Sequence, residues 1–231
     1  MKIGIIGTGQ IGTTLVQRLS AAGHQVKIAN SRGPASLAAL AAETGARAVP
    51  VTEAVVDVDV VVVSIPLINI PQLPADLFAQ SAPSTVVIDT GNYYPRQRDG
   101  KIAEIEDGML ESRWTELHLK RPVIKAFNNI YATHLKSMNL PAGAPGRIAL
   151  PVAGDDAQAK AVAMRIIDIV GFDAVDTGGM DESWRQQPGT PVYTGDFDID
   201  GTRRALTQAR PGRTDEWKAT PASPGTFDQP L

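Results

Sequence analysis

The stretch that decides the fold is Lys2-Ile3-Gly4-Ile5-Ile6-Gly7-Thr8-Gly9-Gln10-Ile11-Gly12. Residues 2–6 are an apolar run that reads as a first β-strand. Residues 11–22 carry Leu15, Val16 and Leu19 at helical spacing, with Gly23 as the stop signal. Between strand and helix stands G-x-G-x-x-G, a weak pattern in isolation but a specific one in this setting. Gly7 permits the tight turn, Gly9 lets the backbone approach a pyrophosphate, and Gly12 lets the helix pack closely on its strand. The free N–H groups at the helix start and the positive end of its dipole then hold phosphate oxygens. The spacing therefore predicts a dinucleotide site.

Working outward, Val- and Ile-rich runs alternate with helical patterns and show little polar alternation, as strands of a parallel sheet buried on both faces do. Strands are expected at 25–29, 46–49, 58–64, 85–89, 123–126, 148–153 and 174–177. Helices are expected at 34–43, at 52–56 with Thr52 as cap, at 156–170 and at 201–209. The fold class is thus α/β: a doubly wound, mostly parallel Rossmann sheet over 1–178, with a small irregular extension at 179–231. That extension is rich in Gly and Pro, and the tail beyond Gly212 must be tied down or remain mobile.

An NAD-selective site has an acidic residue where the second strand ends, about 20 residues beyond the glycines. Here that place holds Asn30, followed by Ser31 and Arg32. A carboxylate would repel a 2′-phosphate, whereas a hydroxyl and a forked guanidinium would hold one, so NADP(H) is the expected dinucleotide. In open α/β sheets ligands collect beyond the carboxyl ends of the strands. The loops there include Ser64-Ile65-Pro66, which could wall the ribose. Gly91-Asn92 and Ala126-Phe127-Asn128 offer close approach and amides suited to a carboxamide or a substrate carbonyl, although asparagine also bonds its own turn.

With 22 basic and 25 acidic residues the net charge is −3, which offers no electrostatic footprint for nucleic acid or an anionic membrane. Cysteine is absent, which excludes disulfides and thiolate chemistry. His24, His118 and His134 are scattered without ligand spacing, so no metal site is expected, and His134 reads as a helix-surface residue or an acid. No apolar stretch approaches the ~20 residues that span a bilayer, and a cytoplasmic location is expected.

The chain resembles the coenzyme F420-dependent NADP oxidoreductases. The resemblance rests on IGIIGTGQIGTTL at the start, NSRGP after the second strand, VVVVSIP, DTGNYYP and KAFNNIYA, and it covers roughly 1–178. It implies that Thr8, Gly9, Gln10 and Ile11 hold the pyrophosphate and that Ser31 and Arg32 hold the 2′-phosphate. Ser64, Ile65 and Pro66 would line the ribose, and Ala126 to Asn128 would sit near the nicotinamide. It further implies direct hydride transfer to a flavin-like ring, possible acceptors being F420, a flavin or another small molecule. Such a transfer asks the protein to hold two rings in register and exclude water. The carboxyl end departs from the family pattern: Trp184 and Tyr193 could stack on the acceptor or plug a core. A non-catalytic NADP-binding sensor is the alternative. Hydroxyacid and imine reductases with the same front domain append a long helical domain for which 179–231 is too short. A homodimer is expected on general grounds, with Tyr193 and the tail as interface candidates.

Overall fold

The computed structural model describes residues 1–212 and 225–230. Among these residues eight strands form one sheet in the order β3-β2-β1-β4-β5-β6-β7-β8. They are β1 (Lys2–Ile6), β2 (Gln25–Ala29), β3 (Arg47–Ala48), β4 (Val60–Val63), β5 (Val86–Asp89), β6 (Ile124–Lys125), β7 (Ala149–Ala153) and β8 (Asp173–Gly178). All neighbours run parallel except β6 and β7. The order reverses direction at β1, so β1 and β4 flank the topological switch point where such sheets bind ligands.

Among the described residues eight helices accompany the strands: α1 (Gln10–Ala21), α2 (Ala38–Thr44), α3 (Val51–Ala54), α4 (Ala103–Glu106), α5 (Glu111–Leu119), α6 (Ala132–Ser137), α7 (Ala157–Ile169) and α8 (Ile199–Gln208). The continuous valines of β4 are explained by burial on both faces. Val60 and Val62 join a core with Ile3, Ile5 and the Leu15, Val16 and Leu19 face of α1. Val61 and Val63 join an opposite core with Ile6, Val87, Tyr93 and Trp114.

Several local expectations are corrected. The helix expected at 34–43 begins as a 3-10 turn, Pro34–Leu37, because Ser36 Oγ donates to Gly33 O at 2.7 Å and tightens the first turn before α2. Thr52 is not a cap; Pro50 takes that position and Thr52 lies inside α3. Segment 92–119 folds as a π-helical turn, Pro95–Asp99, then α4 and α5.

Residues after β8 pack back onto the same body. The 3-10 segment Met180–Gln186 places Met180 in the core that holds Trp114. Val192, Ala205 and Leu206 cover Ala149 and Val175 of β7 and β8. The expectation for the tail falls partly outside the described residues. Within 225–230, the Gly225 carbonyl accepts from Arg96 Nε at 2.6 Å, which ties that piece to the loop after β5. Among the described residues no helix is long and apolar enough to cross a membrane.

Candidate dinucleotide and acceptor site

The glycines of the amino-terminal loop divide by what surrounds them. Gly7 has φ 98°, and a Cβ there would lie 2.2 Å from the Ser64 carbonyl oxygen. A Cβ on Gly12 would lie 2.0 Å from the Gly7 carbonyl oxygen. These two glycines let β1, β4 and α1 meet. Gly9 is exposed, and a Cβ there would meet nothing within 4 Å, so its bareness serves nothing within the fold.

Gly9 is also the N-cap of α1, and no side chain caps that helix. By contrast, Asp156 caps α7 by accepting from the Gln158 and Ala159 N–H groups, and Asp198 caps α8 by accepting from Gly201 N. The first N–H groups of α1 therefore remain for an outside acceptor, in a turn with no acidic residue. Thr13 Oγ1 donates to Thr8 O at 3.0 Å and braces the loop, while Ile11 packs on the core and Gln10 is exposed. Ser64 ends β4 with its N–H on Ile6 O at 2.8 Å, and the half-buried Ile65 and Pro66 follow it along the same crevice. The residues present fit a pyrophosphate.

Beyond β2, Asn30 turns the chain rather than reaching outward. Its Oδ1 accepts from Arg32 N at 3.0 Å and its Nδ2 donates to Ser36 Oγ at 3.0 Å. Ser31 and Arg32 are exposed at the tip. Among the described residues the Arg32 guanidinium has no carboxylate or hydrogen-bond partner. An unpaired fork held on a rigid turn suits a phosphate.

The ends of β5 and β6 are built differently. Lys125 and Asp89 are buried, 1% exposed each, and lie 3.1 Å apart. Lys125 Nζ also donates to Gly91 O at 2.5 Å, with the Glu111 carboxylate 4.0 Å away. Asp89 accepts from Ser112 Oγ and from Gly91 N, both at 2.8 Å. A desolvated pair survives only with its remaining hydrogen-bonding groups satisfied, as here. Gly91 is closed off from any ligand, since a Cβ would lie 2.5 Å from Leu67 Cδ1.

Above this pair, three amides hold one another. Asn128 Nδ2 donates to Asn92 Oδ1 at 3.0 Å and to Gln186 O at 2.7 Å. Asn92 Nδ2 donates to Asn128 O at 2.7 Å, and Gln186 Nε2 donates to Asn128 Oδ1 at 2.9 Å and to Pro151 O at 3.1 Å. Asn92 and Asn128 are thus spent on each other and on Gln186, and they shape the loop rather than offer free amides. Phe127, which precedes Asn128, is 1% exposed at φ 64°, a strained conformation for a bulky residue. Ala126 is fully buried, its N–H on Asp89 O at 3.1 Å. Sequence reading passed over Gln186 and the Lys125–Asp89 pair. A lysine inside an apolar strand, aligned with a strand ending in Asp, was the available signal for the pair; nothing local marked Gln186.

Tyr193 and Trp184 part company. The Tyr193 hydroxyl meets the Tyr94 hydroxyl, which joins the carboxyl-terminal segment to the loop after β5. Burial, then Tyr94, Tyr131 and Glu111, push the Tyr193 phenol well up; burial likewise raises Tyr94. Trp184 instead lies under the Arg185 guanidinium, 4.5 Å from the ring centroid, and lines a cavity of about 450 Å³ with Ile105, Met109 and Gln187. That cavity shares no lining residue with the Ala126–Asn128 loop. His134 has a partner after all: its Nδ1 lies 2.5 Å from Asp196 Oδ2.

Sheet order and the glycine loop between β1 and α1 define a Rossmann fold. The family model described as NADP oxidoreductase, coenzyme F420-dependent, matches residues 2–93. The hypothetical protein SMa0349 from Sinorhizobium meliloti is 31% identical over 84% of this chain and 93% of its own, with a TM-score of 0.69. A candidate F420-dependent NADP-reductase from Arthrobacter sp. FB24 is 20% identical over 79% of this chain and 87% of its own, with a TM-score of 0.60, and shares the fold. The protein YjhV of Escherichia coli (strain K12) is 45% identical over 73 residues, 32% of this chain; the match spans only 53% of that curated relative. The match to the coenzyme F420-dependent NADP oxidoreductase family thus lies in the amino-terminal part of the chain, residues 2–93.

Proposed function

We propose that this protein is an NADP(H)-dependent oxidoreductase that passes hydride to a flavin-like small molecule, a deazaflavin or flavin. The observation that carries the reading is the pairing of an uncapped α1 beside open Gly9 with an Arg32 beyond β2 whose guanidinium has no partner among the described residues. The N–H groups of Gln10, Ile11 and Gly12 would hold the pyrophosphate, and Ser31 with Arg32 the 2′-phosphate. Ser64 to Pro66 would line the ribose. The Ala126–Asn128 backbone, fixed by the amide clasp, would bound the nicotinamide. The dinucleotide supplies the hydride when bound; the protein's share is to orient two rings and exclude water.

A second reading, NADP binding without turnover, draws on how fully Asn92, Asn128 and Gln186 satisfy one another beside Ala126. One experiment separates them. Purified protein is titrated with NADPH and NADH, then assayed for NADPH oxidation with riboflavin, a 5-deazaflavin and a quinone. Preferred NADPH binding with turnover of a flavin-like acceptor supports the enzyme. Binding without turnover supports the sensor, and equal weak binding of both dinucleotides sinks both readings.

A further inference from the structure

The turn beyond β2 is held mainly by hydrogen bonds. Its exposed tip, Ser31-Arg32, stands clear of the body, and even a Cβ on Gly33 would meet nothing within 4 Å. Packing therefore does little to fix how the tip points, and the bonds beneath it must. Gly33 N donates to Asn30 O at 3.4 Å, and Arg32 N to Asn30 Oδ1 at 3.0 Å. Ser36 closes the ring from the far side. Its N–H reaches Gly33 O at 3.1 Å, its Oγ donates to the same oxygen at 2.7 Å, and its Oγ accepts from Asn30 Nδ2 at 3.0 Å. The other acceptor in reach of Ser36 Oγ, Asn30 Oδ1 at 3.1 Å, is farther away and already takes the Arg32 N–H. A hydroxyl has one proton to give. With that proton on Gly33 O, Ser36 needs a donor at position 30, which an amide supplies and a carboxylate does not. The clasp thus explains asparagine in the place where NAD-selective sites carry an acid.

We infer that Ser36 is a positioning residue for dinucleotide choice: through Asn30 and the backbone of the turn it holds Arg32 ready for a 2′-phosphate before any ligand arrives. The inference rests on the proposed NADP(H) reading and adds what makes the Arg32 fork selective. Two observations support it. The exposed guanidinium has no partner among the described residues, so the bonds beneath it serve no ion pair there. Ser36 is itself exposed, and hydrogen bonds on an exposed turn trade against bonds to water. They contribute little to folding and act chiefly on the conformation of the tip. Ordering a long side chain on binding costs affinity, and a turn that is already set lowers that cost. NADH has no 2′-phosphate, so it neither gains from the clasp nor loses when the clasp is cut.

The test is isothermal titration with NADPH and with NADH of wild type, Ser36→Ala, Ser36→Thr, Arg32→Ala and the Ser36→Ala, Arg32→Ala double variant. Ser36→Ala should keep its thermal midpoint and its NADH affinity, and lose about three- to tenfold in NADPH affinity. Ser36→Thr keeps the hydroxyl and should keep the wild-type ratio of the two affinities. In the Arg32→Ala background, Ser36→Ala should cost less NADPH affinity than it does alone, because the group it positions is gone. Equal losses for both dinucleotides, or a lower midpoint with an unchanged ratio, would leave Ser36 a structural residue and overturn the inference. Losses that add in full in the double variant would overturn it too. A wild type that binds both dinucleotides alike overturns the inference and the NADP(H) reading together. A wild type that prefers NADPH, with that preference intact in Ser36→Ala, overturns the inference alone. Titration needs no turnover, so in a protein that prefers NADPH and reduces no acceptor the same ratio still decides Ser36.

Discussion

At the amino end of α1 no side chain caps the first N–H groups, whereas at the ends of β5 and β6 the polar groups face inward and bond one another. The first arrangement leaves the backbone ready for a ligand and contributes little to folding. The second is part of what holds β5, β6 and the segment after β8 together. A dinucleotide site assembled from both should therefore divide its mutations: losses of affinity near Gly9 and Arg32, losses of stability near Lys125 and Gln186.

The sharpest way to break this contrast is Lys125→Met. It leaves Asp89 buried with no cation at 3.1 Å, beside Glu111. Removing one partner of a buried pair costs about 3–5 kcal/mol, because the remaining charge is uncompensated. Urea unfolding should show that loss, and the Asp89→Asn variant should be destabilised as well. If Lys125→Met kept its midpoint and lost NADPH affinity instead, the lysine would belong to the ligand and the contrast would fail.

Next comes a comparison inside the glycine loop. Gly12→Ala must displace the Gly7 carbonyl, which sits 2.0 Å from the new Cβ, and overpacking of this kind costs about 1–3 kcal/mol. Gly9→Ala has φ −70° and open space, so its stability should stay within about 0.5 kcal/mol of wild type. Its NADPH affinity should nonetheless fall about tenfold, which is about 1.4 kcal/mol. Isothermal titration and thermal unfolding on both variants read the two effects apart. A Gly9→Ala protein that binds NADPH as wild type does would mean that no phosphate approaches the loop there.

The same contrast explains what the sequence made legible. The strand–loop–helix unit from Lys2 to Ala21 is contiguous, and its glycines are dictated by backbone geometry, so local pattern suffices. The Val60–Val63 strand is equally plain, because burial on both faces leaves no polar alternation to confuse it. The amide clasp is different in kind. Asn92, Asn128 and Gln186 come from segments far apart in the chain, and each also suits a turn or a surface, so no local signal picks them as partners. Asn30 shows the same limit on a small scale: its position after β2 could be read, but its use of Arg32 N and Ser36 Oγ to build the turn could not. Thr52 failed as a cap because Pro50, with its fixed φ, had already set the start of α3.

Arg32→Ala tests selectivity rather than stability. The side chain is exposed and unpaired among the described residues, so unfolding should be unchanged within about 0.5 kcal/mol. Charge-assisted bonds to a phosphate contribute about 1.5–3 kcal/mol. NADPH affinity should therefore drop at least about tenfold while NADH affinity stays where it was. Equal losses for both dinucleotides would place Arg32 on the pyrophosphate rather than the 2′-phosphate.

The smallest effect lies at the joint between the two regions' supports. Asp155 accepts from Met180 N at 2.8 Å, and its other oxygen pairs with Arg113 at 2.8 Å, so it ties the segment after β8 to α5. The Met180 N–H first, with Arg113 and Lys160 adding to it, holds its carboxyl below the usual range against the desolvation that opposes them. A carboxyl depressed in the folded protein adds stability that is present above its unfolded pKa of about 3.9 and fades as pH falls through the lower, folded value. Asp155→Asn should remove that increment at neutral pH and make no difference at the most acid pH where the protein still folds. With more than half of the side chain exposed, solvent screening keeps the loss under about 1 kcal/mol. Urea midpoints of wild type and variant, measured from neutral to acid pH, should converge as the acid is added. Curves that stay parallel would mean that the Met180 N–H is satisfied equally well by the amide, and that the charge on Asp155 contributes nothing to the joint.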